Sequence, residues 1–149
     1  MKLKMALAAA LLAVGTAQAV EVGLTGTRDY SGNPDRTGYG VTVGQKMGAV
    51  GITAGFERFT HGDRQDRYSL VAGYDVAKFG PVTVTPKVGV AYLNNTTAVD
   101  GYAMTVGVGA SVPVTKQVSV GLDYARQYGQ DRVSQFDGNR VTAAVKYAF

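Results

Sequence analysis

The sequence contains no cysteine and no tryptophan, and it has a single histidine among its 149 residues. Without cysteine, the chain can form neither a disulfide framework nor a thiolate metal site. Charged residues make up 17% of the sequence, which is below the roughly 25% that is typical of soluble domains. The length allows one domain. The composition therefore favours one domain that has no covalent cross-links and few charges.

The formal net charge of +4 is weak evidence for nucleic-acid binding. Lys2 and Lys4 belong to an N-terminal leader, and the rest of the chain has 13 basic against 11 acidic residues. Aromatic residues do not interleave with a basic patch, as single-strand binders require. The glycines recur at strand spacing and form no phosphate loop, and no His/Asp/Glu spacing suggests a metal site. We expect no nucleic-acid partner, no metal and no cofactor.

Residues 1–19, MKLKMALAAALLAVGTAQA, have the three parts of a secretory signal peptide. Two lysines precede a short apolar stretch, and Ala17-Gln18-Ala19 is an A-x-A-type cleavage site. The apolar stretch is shorter than the roughly 20 residues that a helix needs to span a bilayer. We predict a cleaved signal peptide over 1–19 and a mature domain over 20–149.

From Val20 onward, large apolar residues alternate with small or polar ones, which is the period of a β-strand. The alternating segments are 20–30, 37–47, 50–59, 67–77, 82–93, 101–112, 118–128 and 139–149. Tight turns are expected around Gly48, Gly80-Pro81 and Pro113–Lys116, and longer polar loops at 31–36, 61–66, 94–100 and 129–138. Short turns at one end and long loops at the other are typical of outer-membrane β-barrels.

The alternation leaves two arrangements open, because either face could point inward. A soluble barrel would place the large residues inside and expose mainly glycine, alanine and threonine. A membrane barrel would turn the large residues toward lipid, and small and polar residues would fill a narrow lumen. Tyrosines near the segment ends suit a membrane interface. We therefore predict an all-β fold, an eight-stranded antiparallel up-and-down transmembrane β-barrel.

The C-terminal segment places Val141, Ala143, Val145, Tyr147 and Phe149 at alternate positions. With the leader and the eight segments, it resembles the small eight-stranded outer-membrane β-barrel family of the OmpA transmembrane domain and OmpX. The resemblance implies a monomer in the Gram-negative cell outer membrane, in contact with its lipid and lipopolysaccharide. It also implies that Tyr147 and Phe149 form a C-terminal signal that the barrel-assembly machinery reads.

Seven charged residues have the inward parity: Glu21, Lys46, Glu57, Asp75, Lys87, Asp123 and Lys146. Buried charges need partners. We expect Glu21 to lie near Lys146, where the first and last strands close the barrel, and Lys87 to reach Asp123 across one strand. Glu57 and Arg67 flank the second long loop. This charge network either fills the lumen or gates a narrow path for ions or small solutes.

Three arginines near the long loops, Arg28, Arg58 and Arg126, have the outward parity. A planar guanidinium matches phosphate with two parallel hydrogen bonds, better than an ammonium does. We hypothesise that this arginine rim contacts lipopolysaccharide phosphates. The alternative is a solvated rim that merely favours arginine.

An enzymatic role depends on His61, because it is the only histidine. Ser31, Ser69 and Ser134 are the serines considered as nucleophiles, with Asp63 as a nearby acid. Lipid A deacylases of similar architecture have a His-x-Ser-like pattern. In this sequence Gly62-Asp63 follows the histidine, so the pattern is not matched. We therefore expect no catalytic residue and no enzyme.

The prediction for function is an envelope-integrity or surface-interaction protein, and a narrow channel is the alternative. An eight-stranded barrel has an interior filled by side chains, which disfavours a general porin. Pro86 lies inside the fifth segment and cannot donate a ladder hydrogen bond. We expect a local bulge in that segment.

Overall fold

Nine β-segments and one short helix make up the computed structural model, which describes residues 19–30, 35–60, 64–95 and 100–149. The strands are β1 (Val20–Asp29), β2 (Arg36–Met47), β3 (Val50–Phe59), β4 (Gln65–Tyr74), β5 (Ala77–Phe79), β6 (Val82–Asn95), β7 (Gly101–Pro113), β8 (Val118–Gly129) and β9 (Gly138–Ala148). The 3₁₀ helix η1 (Asp131–Phe136) lies between β8 and β9. The predicted signal peptide falls almost wholly outside the described residues and stays a prediction.

The strands form a closed barrel in which every pairing is antiparallel. Consecutive strands pair with each other except β4 and β5, both of which pair with β6, and β1 pairs with β9. Because β4 and β5 both pair with β6, they are two halves of one barrel strand. The predicted fold, an eight-stranded antiparallel up-and-down barrel, is confirmed. The barrel has a loop end, where the long loops lie, and a turn end.

The outer face of the barrel carries the large apolar side chains. On β7, Met104, Val106 and Val108 are 44–52% exposed, whereas Ala103 and Thr105, at the alternate positions, are buried. Leu24 on β1 and Leu122 on β8 are exposed in the same way. This orientation is the reverse of a soluble barrel and is the one that a lipid environment favours. Among the described residues, no helix is long and apolar enough to cross a membrane.

An aromatic belt crosses four neighbouring strands along one ladder row. Phe56, Tyr68, Tyr92 and Tyr102 lie directly opposite one another on β3, β4, β6 and β7. The ring centroids are 5.1 Å apart for the first pair and 5.3 Å apart for the last. Rings with an apolar body and a polar tip suit a membrane interface. The belt lies near the loop end and covers about half of the barrel circumference.

A bulge lies opposite Pro86, in the facing strand. Residues 74–76 face only residues 85–86, because the ladder with β6 stops at the end of β4 and resumes at β5. The Val76 N–H donates to the Val84 carbonyl oxygen at 3.1 Å. Pro86 lies two residues after Val84 on β6, so its backbone nitrogen points toward the same β4–β5 strand. The N–H that proline lacks is therefore missing where the ladder is already interrupted. The expectation of a bulge within segment 82–93 was wrong, since β6 runs unbroken through Pro86.

The bulge also decides which side chains of β5 face lipid. An extra residue shifts the alternation by one position. Phe79 therefore pairs with the outward Val82 and is exposed, whereas Lys78 pairs with Thr83 on the inner face. Without the extra residue in this strand, the lysine would point into the bilayer.

Candidate functional site in the barrel lumen

A buried carboxylate between two guanidinium groups forms the closed, loop-end part of the lumen. Oε2 of Glu57 accepts hydrogen bonds from Nη1 of Arg67 at 2.9 Å and from Nη2 of Arg140 at 2.7 Å. The Thr27 hydroxyl donates to Oε1 of the same carboxylate. The side chains of Glu57, Arg67 and Arg140, here called the arginine triad, are only 4–7% exposed. Such burial requires the charges to satisfy one another.

Strand register and one glycine make room for the triad. Glu57 lies directly opposite Arg67 on β4 and opposite Gly40 on β2. A Cβ atom at Gly40 would lie 2.7 Å from Cγ of Glu57, which is closer than side chains tolerate. Arg140 reaches the same carboxylate from β9, 83 residues further along the chain. The absence of a side chain at Gly40 therefore allows the carboxylate to point into the lumen.

A second layer of charge lies nearer the loop end. The Arg36 guanidinium donates to Oε1 of Gln65 at 2.8 Å and to Oδ2 of Asp29 at 3.3 Å, and all three side chains are buried. Its Cζ lies 4.6 Å from the ring centroid of Phe136 and 5.5 Å from that of Phe59. This layer joins the triad to the apolar residues above it.

The helix η1 acts as a lid over the lumen. Val133 is completely buried and packs in one cluster with Leu93, Ala91 and Ala103, against which Phe136 also packs. Nε2 of Gln127 donates to the Phe136 carbonyl oxygen at 2.9 Å. The prediction of a polar loop over 129–138 was therefore incomplete. Its two apolar residues are three positions apart, the spacing at which 3₁₀ side chains share a face.

Below the triad lies a cavity of about 210 Å³ that all seven predicted lumen charges line. Lys87 contacts Asp123 at 2.6 Å, Lys146 lies 4.0 Å from Glu21, and Lys46 contacts Asp75. Asp75 also accepts a hydrogen bond from the Thr85 hydroxyl at 2.7 Å. These three pairs are 14–44% exposed, unlike the triad. The lumen is thus accessible toward the turn end and closed at the loop end.

The arginine rim lies on β1, β3 and β8 near the loop end, and its Arg58 meets the aromatic belt, with Cζ 5.6 Å from the Phe56 ring centroid. Arg28 on β1 lies 3.2 Å from Asp35, and Arg58 on β3 binds Asp66 with two hydrogen bonds of 2.8 and 3.1 Å. Arg126 on β8 is exposed, and its Cζ lies 5.5 Å from the Tyr128 ring centroid. Among the described residues, Arg126 makes no salt bridge. It is therefore the rim arginine whose charge is most available to an external anion.

The predicted assembly signal lies at the turn end, beside the barrel closure. The Tyr147 and Phe149 rings have centroids 4.9 Å apart, and both side chains are exposed. The Phe149 N–H donates to the Val20 carbonyl oxygen at 3.0 Å. The two aromatic residues thus lie on the outer surface where the first and last strands meet.

The residues considered for an enzyme do not come together among the described parts of the chain. Ser69 is buried and lines the lumen, whereas Ser134 is exposed on η1. His61, Asp63 and Ser31 lie outside the described residues. Within the described ranges, no group of three histidine, cysteine or acidic side chains could hold a metal ion.

Comparison with known proteins reveals similarity of structure without similarity of sequence. No protein-family model and no curated protein matches the chain. The N-terminal β-barrel domain of Pseudomonas aeruginosa OprF superposes with a TM-score of 0.76 at 18% identity, over 89% of this chain and 98% of that one. Neisserial surface protein A gives 0.66 at 13% identity, over 88% and 96% of the two chains. Yersinia pestis Ail in a nanodisc gives 0.56 at 11% identity, over 89% and 100%.

The chain has the fold of the small eight-stranded outer-membrane β-barrels. The matched proteins are covered almost completely, so the likeness extends over the whole barrel. Sequence identities below one fifth support a shared fold only, since proteins of one architecture have unrelated functions.

Proposed function

We propose that this protein is a closed outer-membrane barrel that supports the bacterial envelope through its contacts with lipid, without acting as a general pore. One observation carries the proposal: an apolar outer face surrounds a lumen that is sealed at the loop end. The lid, the Arg36 layer and the arginine triad close that end one below the other. A solute on the loop side would have to displace all three layers to enter.

Fractionation, gel migration and conductance together test this proposal. We expect the protein in the outer-membrane fraction, with different migration on a cold gel before and after boiling. The folded protein should give no steady conductance in a planar bilayer. A soluble species with unshifted migration would contradict the membrane location. Steady conductance by the intact barrel would contradict the closed lumen.

We further propose that the arginine rim contacts lipopolysaccharide phosphates, with Arg126 as the main contact. Arg28 and Arg58 already pair with aspartates, whose carboxylates compete with phosphate for the guanidinium groups. The aromatic ring beside Arg126 holds its guanidinium at the barrel surface. Guanidinium groups that lie at the surface are the donors that phosphate recognition uses.

Lipopolysaccharide co-purification with single glutamine variants tests the rim. Arg126→Gln should lower the amount of bound lipopolysaccharide more than Arg28→Gln does. Lys116→Gln removes the same charge from an exposed residue at the turn end and serves as the matched control. Equal retention by Arg126→Gln and Lys116→Gln would contradict the rim proposal.

A narrow channel is the second candidate, and the cavity favours it. The cavity runs from the turn end to the arginine triad, so only the loop-end seal separates it from the other side. If the protein is a gated channel, removal of the lid side chains in a Val133→Ala, Phe136→Ala variant should produce conductance steps. An unchanged, non-conducting variant would favour the closed barrel.

The aromatic C-terminus is proposed to carry the assembly signal. Deletion of Phe149 should lower the folded fraction in cells and spare refolding of purified protein in detergent, because only the cellular route uses the assembly machinery. Val20→Ala, a change on the strand that Phe149 contacts, is the control. Equal defects in cells and in detergent would indicate a purely structural role.

A further inference from the structure

The charges that line the cavity do not cancel at its closed end. Each of the three lysines that line the cavity toward the turn end has one carboxylate partner: Lys46 with Asp75, Lys87 with Asp123 and Lys146 with Glu21. Glu57, by contrast, is shared between Arg67 and Arg140. Among the described residues that line the cavity, the excess is therefore one positive charge, and it belongs to the arginine triad.

An excess charge is costly at this position because the triad is buried. The energetic penalty of a buried charge is large unless an opposite charge lies nearby. The outer layer does not remove the excess, because Arg36 already accompanies Asp29. An anion in contact with the triad would neutralise it.

Unfilled hydrogen-bond donors lie at the same end of the lumen. Nε of Arg67 and Nε of Arg140 are buried and have no hydrogen-bond partner within the described chain. The Thr25 hydroxyl is likewise buried without a partner. Thr25 pairs with Gly40, which in turn pairs with Glu57, so this hydroxyl shares a ladder row with the triad. Buried donors are normally satisfied, so their grouping here points to a ligand.

The cavity has a suitable size and lining for a small anion. Thr25, Arg67 and Arg140 line it, and so do Ser69 and Thr105, which carry hydroxyl groups. The cavity volume is about 210 Å³, whereas a water molecule occupies roughly 30 Å³ in the liquid. The cavity is therefore large enough for one small ion. Access is from the turn end, past the three lysine pairs.

We propose that the closed end of the lumen binds one small inorganic anion, of the halide class, which neutralises the arginine triad. The site is distinct from the outer arginine rim. It does not depend on the proposed envelope role, since it would exist in a closed barrel and in a gated channel alike. The anion would stabilise the folded barrel because it binds the native state alone.

Bromide is a direct probe of this site. Crystals of the folded barrel grown with sodium bromide should give an anomalous peak beside the Arg67 and Arg140 guanidinium groups. In detergent, the midpoint of thermal unfolding should rise saturably as bromide replaces gluconate at constant ionic strength. A map without a lumen peak, or a midpoint that follows ionic strength alone, would overturn the proposal.

Two variants, one that removes a positive charge and one that removes a negative charge, distinguish anion binding from an effect on general stability. Arg67→Gln removes the excess charge, and we expect bromide affinity to fall roughly tenfold or more, as for the loss of a charged hydrogen bond. Glu57→Gln keeps an acceptor but raises the excess charge, so bromide should bind more tightly. Lys116→Gln, outside the lumen, should leave the bromide effect unchanged.

The opposite signs make the outcome decisive. If Arg67→Gln and Glu57→Gln both weaken the bromide effect, the anion does not bind through the triad charge and the proposal fails. If Arg67→Gln does not fold, the direction of the Glu57→Gln change and the anomalous map of the native barrel decide.

Discussion

At the scale of single residues, the charged groups of the lumen differ in how strongly folding depends on them. Glu57 is buried and shared by two arginines, whereas Glu21 is partly exposed and lies 4.0 Å from Lys146. Solvent screens the second pair and leaves the first unscreened. The same kind of side chain therefore has unequal effects at the two ends of the barrel.

We expect Glu57→Ala to lower the free energy of unfolding by about 3–5 kcal/mol, because it leaves two buried guanidinium groups without their carboxylate. Glu21→Ala, the matched control, should lower it by about 0–1 kcal/mol. Urea titration in lipid vesicles, followed by far-UV circular dichroism, measures both, since the chain has no tryptophan for fluorescence. Equal losses would indicate that the triad is solvated in the folded barrel.

At the scale of elements, the segments that depart from regular pairing decide how the barrel is closed. The β4–β5 bulge accommodates Pro86 and keeps Lys78 on the inner face. The helix η1 folds inward because Val133 and Phe136 reach an apolar cluster inside the loop end. A Cβ atom at Gly101 would lie 2.8 Å from Cγ1 of Val133, so the lid also depends on a small neighbour.

We expect Val133→Asp to release the lid, because a carboxylate is not tolerated at a completely buried apolar position. Cleavage of the folded barrel between residues 129 and 138 by the nonspecific protease proteinase K should then become several-fold faster. Ser134→Asp introduces the same charge at the exposed neighbouring residue and should leave the cleavage rate near that of the native protein. Equal acceleration by both variants would mean that the lid is not anchored by Val133.

At the scale of the whole molecule, the barrel surface is apolar around its middle and carries aromatic rings and arginines near the loop end. The aromatic belt occupies β3, β4, β6 and β7. The rim arginines lie on β8, β1 and β3, and Cζ of Arg58 lies 5.6 Å from the ring centroid of the belt residue Phe56. Lipid headgroups would therefore meet both aromatic hydroxyl groups and guanidinium groups near the loop end.

We expect Leu122→Arg to lower the free energy of unfolding in lipid vesicles by about 2–4 kcal/mol, since the residue is exposed near the middle of β8. Tyr128→Arg, on the same face at the loop end of the same strand, should lower it by only about 0–1 kcal/mol. Urea titration monitored by gel migration measures both. A cost independent of depth would contradict a lipid-facing outer surface.

The local features of the fold could be predicted from the sequence, because they depend on spacing along the chain. Alternation of large and small residues sets which face of each strand meets lipid, and it located the strand ends to within two residues outside the β4–β5 break. Gly48 and Gly80, at the predicted tight turns, have φ of 64° and 60°, which favours glycine. The inward parity of all seven lumen charges followed from the same period.

Barrel closure and strand register decided which lumen side chains contact one another, which parity along a single strand could not predict. Parity places Glu57 and Arg140 inside the lumen but does not say that they meet, because 83 residues separate them and the stagger of eight strands sets their heights. The lid escaped prediction because the packing of Val133 depends on a cluster that exists only once β6 and β7 are paired. The bulge lies opposite Pro86 because backbone pairing is a property of two strands and not of one. Outside β5, where the bulge shifts the alternation, the sequence by itself thus determined which side chains face lipid and which face the lumen. Only the tertiary structure decided which of the lumen side chains meet, since their heights depend on how the strands are staggered around the closed barrel.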